Sequence, residues 1–247
     1  MRKRIGLLAI VAALVTAVVA PAASAGSNGE ELRTYEVTIQ NLSSAQPLAP
    51  AAIVTHRTQY KLWENGAYAS AGIEAIAETG DPGTALGEAA DSNLVTAAIT
   101  PGVPLTRYST TVDVFTDSVT VEIHARPGDR LSIAAMLICT NDGFVGLQSL
   151  LLPRFEDQVK TRYLGNYDSG TELNTEASTD IVDACSALGP VVLDGDENGN
   201  DDEGVDSDGL ITAHPGIDGT IGDLLPDHNW DGAVAMVTVR LVDSASE

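Results

Sequence analysis

Short segments in which apolar and polar residues alternate constrain the fold of this chain most strongly. Successive side chains of a β-strand point to opposite faces, so a period of two predicts strands with one buried face. The alternating apolar positions are Tyr35/Val37/Ile39, Val112/Val114, Val119/Val121/Ile123, Leu131/Ile133/Ala135/Leu137 and Ala235/Val237/Val239/Leu241. Turn-forming residues such as Pro127-Gly128-Asp129 separate the segments. Several short strands joined by turns predict a mostly β fold, an antiparallel β-sandwich.

One stretch departs from this pattern and indicates helix. Ser70 is a suitable N-terminal cap, Ile73 and Ile76 follow at helical spacing, and the turn sequence at 80–83 ends the segment. The alanine-rich residues 84–98 predict a second short helix. We therefore expect one or two short helices in insertions of the sandwich.

The N-terminus has the pattern of an export signal. Arg2, Lys3 and Arg4 precede an apolar run at 5–20, and the small residues at 23–25 suit a signal peptidase. A membrane anchor is the alternative, although the run is marginal for the ~20 apolar residues that span a bilayer. We predict a signal peptide at 1–25 and a single secreted, extracellular domain at 26–247, without an integral membrane segment. The periplasm and the cell surface are alternative locations.

The chain is strongly acidic, with a formal net charge of −22. This charge repels nucleic acid and anionic membranes, so we expect no nucleic-acid partner. One explanation of the acidity is a hydrated surface, including life in salty surroundings. The other is that some carboxylates gather to bind a hard cation. Composition alone favours the first explanation for most of them.

The chain contains two cysteines, Cys139 and Cys185. An even pair in an exported protein predicts a disulfide, with two buried thiols as the alternative. No nucleophile elbow, His-Glu-x-x-His motif or phosphate-binding glycine loop occurs in the sequence. None of the four histidines pairs with another at metal-ligand spacing. We therefore interpret the protein as a non-enzyme. The alternative is a glycosidase-like pair of catalytic carboxylates among the many acidic residues.

Residues 194–209 form an acidic segment that predicts a solvated surface loop. Asp194, Asp196 and Asn198 match the first half of an EF-hand loop, but Val205 occupies the twelfth position, where that loop requires glutamate. A second, weaker cation site in this loop is therefore an open alternative to a disordered acidic insertion.

Several motifs together resemble the spondin N-terminal domain family, in its free-standing bacterial form. They span about residues 34–242 and include Tyr35-Glu36-Val37-Thr38, Asn41-Leu42-Ser43, the stretch 47–56, Pro127 to Leu131, Asn141 to Gly146 and Asp168 to Glu172. The resemblance implies a sandwich similar to calcium-dependent lipid-binding domains, with one bound Ca²⁺. It assigns Asp142, Asp168 and Glu172 as metal ligands, with glutamate in place of the family's aspartate at 172.

The chemistry of these residues agrees with that implication. Ca²⁺ binds six to eight oxygens, and acidic residues on tight turns offer carboxylates beside backbone carbonyls. The alternative is that Asp142 and Asp168 are ordinary turn residues. A bond between Cys139 and Cys185 is expected to hold Asp142 near the second loop, which contains residues 168–172.

The resulting hypothesis is a calcium-binding recognition or adhesion module, with a matrix-like or cell-surface role, that engages an extracellular protein, glycan or surface polymer. A calcium-dependent hydrolase and a calcium-bridged lipid-binding module are the alternatives.

Overall fold

The computed structural model describes residues 32–109, 111, 115–193 and 204–243. Within these ranges ten strands form two antiparallel sheets, and three short α-helices lie in the connections. The predicted mostly β, antiparallel fold is confirmed. The predicted signal peptide and the alternation at Val112 and Val114 lie outside the described residues.

The strands are β1 (Arg33–Asn41), β2 (Ala52–His56), β3 (Val95–Ile99), β4 (Ser118–Ala125), β5 (Arg130–Met136), β6 (Gly143–Leu151), β7 (Val159–Tyr163), β8 (Gly165–Asp168), β9 (Thr212–Ala213) and β10 (Ala235–Asp243). The α-helices are α1 (Ala71–Thr79), α2 (Gly83–Ala90) and α3 (Ala184–Leu188). One sheet has the order β4-β1-β10-β7, and the other has the order β3-β2-β5-β6-β8-β9.

The core lies between the two sheets and uses the alternating positions of the sequence. Val37 and Val237 face inwards from the four-stranded sheet and are fully buried. Ile53, Ile133 and Val145 from the six-stranded sheet belong to the same apolar cluster. Burying the apolar face of each sheet against the other is the main source of stability in such a sandwich.

The helices cover the other face of the six-stranded sheet. Ser70 caps α1 by accepting a hydrogen bond from the Ile73 N–H, and Gly80 ends the helix with φ 71°. Ile73 and Ile76 of α1 pack in a second apolar cluster with Val54 of β2. The predicted second helix is confirmed only as far as Ala90. Residues 95–99 form β3 instead, because they pair with β2.

The predicted disulfide is confirmed. Cys139 lies in the turn that follows β5, Cys185 lies in α3, and their sulfurs are 2.10 Å apart. The bond ties the short helix and the segment around it to the end of the six-stranded sheet. No helix in the described part of the chain is long and apolar enough to cross a membrane.

Candidate cation site

The pairing of β6 with β8 brings the first two predicted ligands together. Asp142 is the residue immediately before β6, and the register of the ladder places Gly143 opposite Asp168, the last residue of β8. The Ser169 N–H donates to the Asp142 carbonyl at 3.1 Å. Two acidic residues therefore meet at one end of the sandwich.

The Asp142 carboxylate is fully buried and is held through one of its oxygens. Oδ2 accepts hydrogen bonds from the Ser169 hydroxyl at 2.8 Å, the Thr171 N–H at 2.9 Å and the Glu172 N–H at 3.1 Å. Its other oxygen, Oδ1, is buried without a hydrogen-bond partner in the described structure. A buried carboxylate oxygen without a partner is costly unless a cation or an ordered water binds it.

Asp168 shapes the second loop and adds its own charge. Its Oδ1 accepts from the Gly170 N–H at 2.8 Å, and its Oδ2 accepts from the Asn174 side-chain amide at 2.6 Å. Each oxygen of an ionised carboxylate has a further lone pair available for a ligand. Gly170, with φ 75°, makes the tight turn between Asp168 and Thr171.

The electrostatics of the pair favour a cation between them. Burial raises the pKa of Asp142, and the negative charge of Asp168 raises this pKa further. The hydrogen bonds from Glu172, Ser169 and Thr171 oppose both effects. A buried carboxylate whose ionised form is disfavoured by burial and by a neighbouring negative charge, as at Asp142, is stabilised by a positive ion.

Glu172 has its backbone and its side chain in different surroundings. Its backbone N–H contributes to the cradle around Asp142, while its side chain lies against Gly204, where a Cβ would collide with the carboxylate. The ligand oxygens of Asp142, Asp168 and Glu172 do not form a cluster within 4.8 Å. Among the described residues, the one group of three possible metal ligands whose ligand atoms all lie within 4.8 Å of one another is Cys139, Cys185 and His228. The two cysteine sulfurs of that group are already joined in the disulfide. Glu172 as the third ligand stays a prediction.

The chain matches the Spondin_N family over residues 46–184. It belongs to that family. The matched range contains Asp142, Asp168 and Glu172, whereas Cys185 and β10 lie beyond it. The search of curated proteins returned no match. Spondin N-terminal domains are non-enzymatic extracellular modules, which supports an extracellular module of the recognition or adhesion type.

In this family member, hydrogen bonding between strands places Asp142 beside the 168–172 loop. That the disulfide also holds Asp142 near this loop stays a prediction. Cys185 lies in α3, downstream of the loop, so the bond joins the turn after β5 to the segment that follows the loop.

The acidic segment reaches the site with its C-terminal part. The backbone of residues 205–209 pairs with that of 170–173 through hydrogen bonds such as Ser207 N–H to the Thr171 carbonyl at 2.7 Å. This part of the predicted solvated loop lies at the surface, but its backbone is fixed. Asp194, Asp196 and Asn198, the EF-hand-like positions, lie outside the described residues.

His214 is a neighbour of the site that the sequence did not reveal. It follows β9, whose Thr212 pairs with Asp168. Its Nδ1 accepts from the Gly216 N–H at 3.0 Å, so a neutral ring carries its proton on Nε2, which is buried. Burial lowers the pKa of His214 to about 4, although Asp168 acts in the opposite direction. The imidazole therefore stays neutral at physiological pH.

Glu176 is the second residue that the sequence did not reveal. Its carboxylate accepts from the Asp218 N–H at 2.6 Å and the Gly219 N–H at 2.9 Å. Its own N–H donates to the Asn141 side chain at 3.2 Å, and its φ is 55°, which is uncommon for a residue other than glycine. Glu176 thus ties the loop after β9 to the residue that precedes Asp142.

A serine–histidine pair also occurs in the structure. Ser132 Oγ and His56 Nε2 are 2.8 Å apart, and His56 Nδ1 contacts the Arg57 carbonyl at 2.7 Å. Ser132 is only 1% exposed and His56 is 0% exposed, so a substrate does not reach them in this conformation. The pair links β2 to β5 inside the sheet.

Proposed function

We propose that this chain is a secreted, calcium-binding recognition or adhesion module of the extracellular space. The observation that supports calcium most directly is the buried Oδ1 of Asp142, which lacks a hydrogen-bond partner among the described residues and belongs to a carboxylate beside Asp168. Hard oxygen donors of this kind suit Ca²⁺. Family membership supports the extracellular recognition role.

In this proposal Asp142 and Asp168 hold the ion, and Glu172 is the candidate for a third acidic ligand. The bound ion supplies a positive charge that links the turn before β6 to the loop after β8. Linking these segments reduces their conformational freedom, which prepares the surface around them for a partner at a smaller entropy cost. The expected partner is an extracellular protein, a glycan or a surface polymer.

Thermal unfolding of the parent chain tests the calcium proposal. A ligand at ~100 times its dissociation constant stabilises the folded state by about 2.7 kcal/mol. For a domain of this size that energy raises Tm by about 5–11 °C. We expect a rise of this order in calcium relative to chelator, measured by calorimetry, and a smaller rise in magnesium, which demands a tighter octahedral geometry. Identical Tm values in calcium and in chelator would remove the proposal.

A further inference from the structure

The free edge of the four-stranded sheet is a second surface with the properties of a binding site. β7 is the last strand of that sheet and pairs with β10 on one side only. No other strand of the described chain pairs with its outer side. An edge strand of this kind presents unpaired backbone N–H and C=O groups to a partner chain.

The two faces of β7 differ in chemistry. The register with β10 places Val159 and Tyr163 on the solvent face of the sheet, and these side chains are 57% and 68% exposed. Lys160 and Arg162 lie opposite the buried Val239 and Val237, so they share the other face at the margin of the core. The edge therefore alternates between apolar and cationic side chains.

The cations at this edge are not paired with acidic residues of the described chain. Among the described residues, neither Lys160 nor Arg162 has a carboxylate oxygen within 4.0 Å, and neither does Arg154 just before the strand. Burial lowers the pKa of Lys160 most, and the positive charges of Arg162, Arg154 and Arg130 nearby lower this pKa further. The Lys160 ammonium is positioned by the Leu151 carbonyl at 2.7 Å.

This arrangement contrasts with the rest of the molecule. The chain has 35 acidic residues and only 13 lysines and arginines, so most of its surface repels an acidic ligand. Glu156 and Asp157 lie in the connection before β7, not on the strand itself. Cations without acidic partners among the described residues are complementary in charge to an anionic ligand.

The charges also decide against a second copy of the chain at this edge. Antiparallel self-pairing centred on Thr161 would place Lys160 directly opposite Arg162, and like charges in that position are destabilising. The same charges would attract an acidic strand. Cationic protection of the edge against self-association and selection of an acidic partner are compatible roles.

We propose that β7 binds an extended acidic segment of a partner protein, which adds a strand to the four-stranded sheet. Backbone hydrogen bonds supply part of the affinity, as in other cases of strand addition. The preferred segment alternates acidic residues, which face Lys160 and Arg162, with apolar residues, which face Val159 and Tyr163. This surface is separate from the cation site, so binding should persist in a calcium chelator.

A fluorescence-anisotropy titration in chelator tests the proposal, with a labelled synthetic peptide of alternating glutamate and valine as the probe. We expect saturable binding tighter than about 1 mM and slower hydrogen exchange of β7 amides in the complex. The double variant Lys160→Glu/Arg162→Glu should weaken binding at least about tenfold. Arg162→Glu alone, at an exposed position, should weaken it in the same direction if the double variant does not fold.

The control variant is Lys61→Glu, which makes the same charge change away from β7 and should bind within about twofold of the parent. A probe with N-methylated backbone amides should not bind. Equal binding of the N-methylated probe, or of a peptide with its glutamates in one block, would overturn strand addition. A loss of binding in Lys61→Glu as large as that in Arg162→Glu would also overturn the proposal. Displacement of the probe by dextran sulfate but not by unlabelled alternating peptide would do the same, as would self-association of the chain that protects the β7 amides from exchange.

Discussion

Replacing Asp142 with asparagine is expected to abolish stabilisation by calcium and to leave the calcium-free protein at least as stable as the parent. The first effect follows because the substitution removes one of the two acidic groups that meet at the candidate site. The second follows because burial and the charge of Asp168 both disfavour the ionised Asp142 carboxylate. The asparagine oxygen can still accept from Ser169, Thr171 and Glu172, whose donors surround Oδ2.

Calorimetric melting in calcium and in chelator measures both effects. The rise of about 5–11 °C expected for the parent should disappear in Asp142→Asn, while Tm in chelator should stay level or rise. Asp208→Asn is the matched control, because it removes an exposed acidic group from the segment that covers the second loop. It should keep the full calcium effect. Loss of the effect in the control as well, or its survival in Asp142→Asn, would show that calcium acts through general surface charge.

Removing the disulfide by the double variant Cys139→Ala/Cys185→Ala is expected to lower the free energy of unfolding by roughly 4 kcal/mol. The chain-entropy model gives this value for a bond that joins residues separated by 46 positions. Both cysteines are fully buried, and alanine avoids placing a hydroxyl there. For a domain of this size Tm should fall by about 8–16 °C.

Urea denaturation at equilibrium measures this change, and the parent chain reduced by excess thiol should approach the same midpoint. The double variant should still bind calcium, because pairing of β6 with β8, and not the disulfide, brings Asp142 beside Asp168. A loss below about 1 kcal/mol would contradict the stability prediction. Loss of calcium binding in a folded variant would contradict the role assigned to the strand pairing.

The sequence predicted the elements whose environment differs between their two faces. β1, β4 and β10 contain alternating positions from which strands were expected, because only one face of their sheet meets the core. β5 was predicted from the same alternation, although it is buried on both faces. β6 gave no alternation, since Gly143 to Leu147 are buried on both sides. The alanine-rich stretch after α2 became β3 because tertiary pairing with β2 outweighed local helix propensity.

The part of the candidate site that the sequence predicted consists of acidic residues in turns. Asp142 and Asp168 stand at the ends of elements joined by one ladder, and their meeting follows from that pairing. The direction of the Glu172 side chain depends on residue 204, which belongs to a distant segment. His214 and Glu176 are positioned by a two-residue strand and by loop N–H groups, and such contacts leave no periodic signal in the sequence.

Isothermal titration of calcium into the chelator-stripped chain shows whether Asp142 and Asp168 bind the ion. We expect a saturable site with one ion per chain in the parent and in Asp208→Asn, and no binding at that site in Asp142→Asn or Asp168→Asn. An absence of saturable binding in the parent, or an unchanged site in Asp142→Asn, would contradict the proposed calcium site.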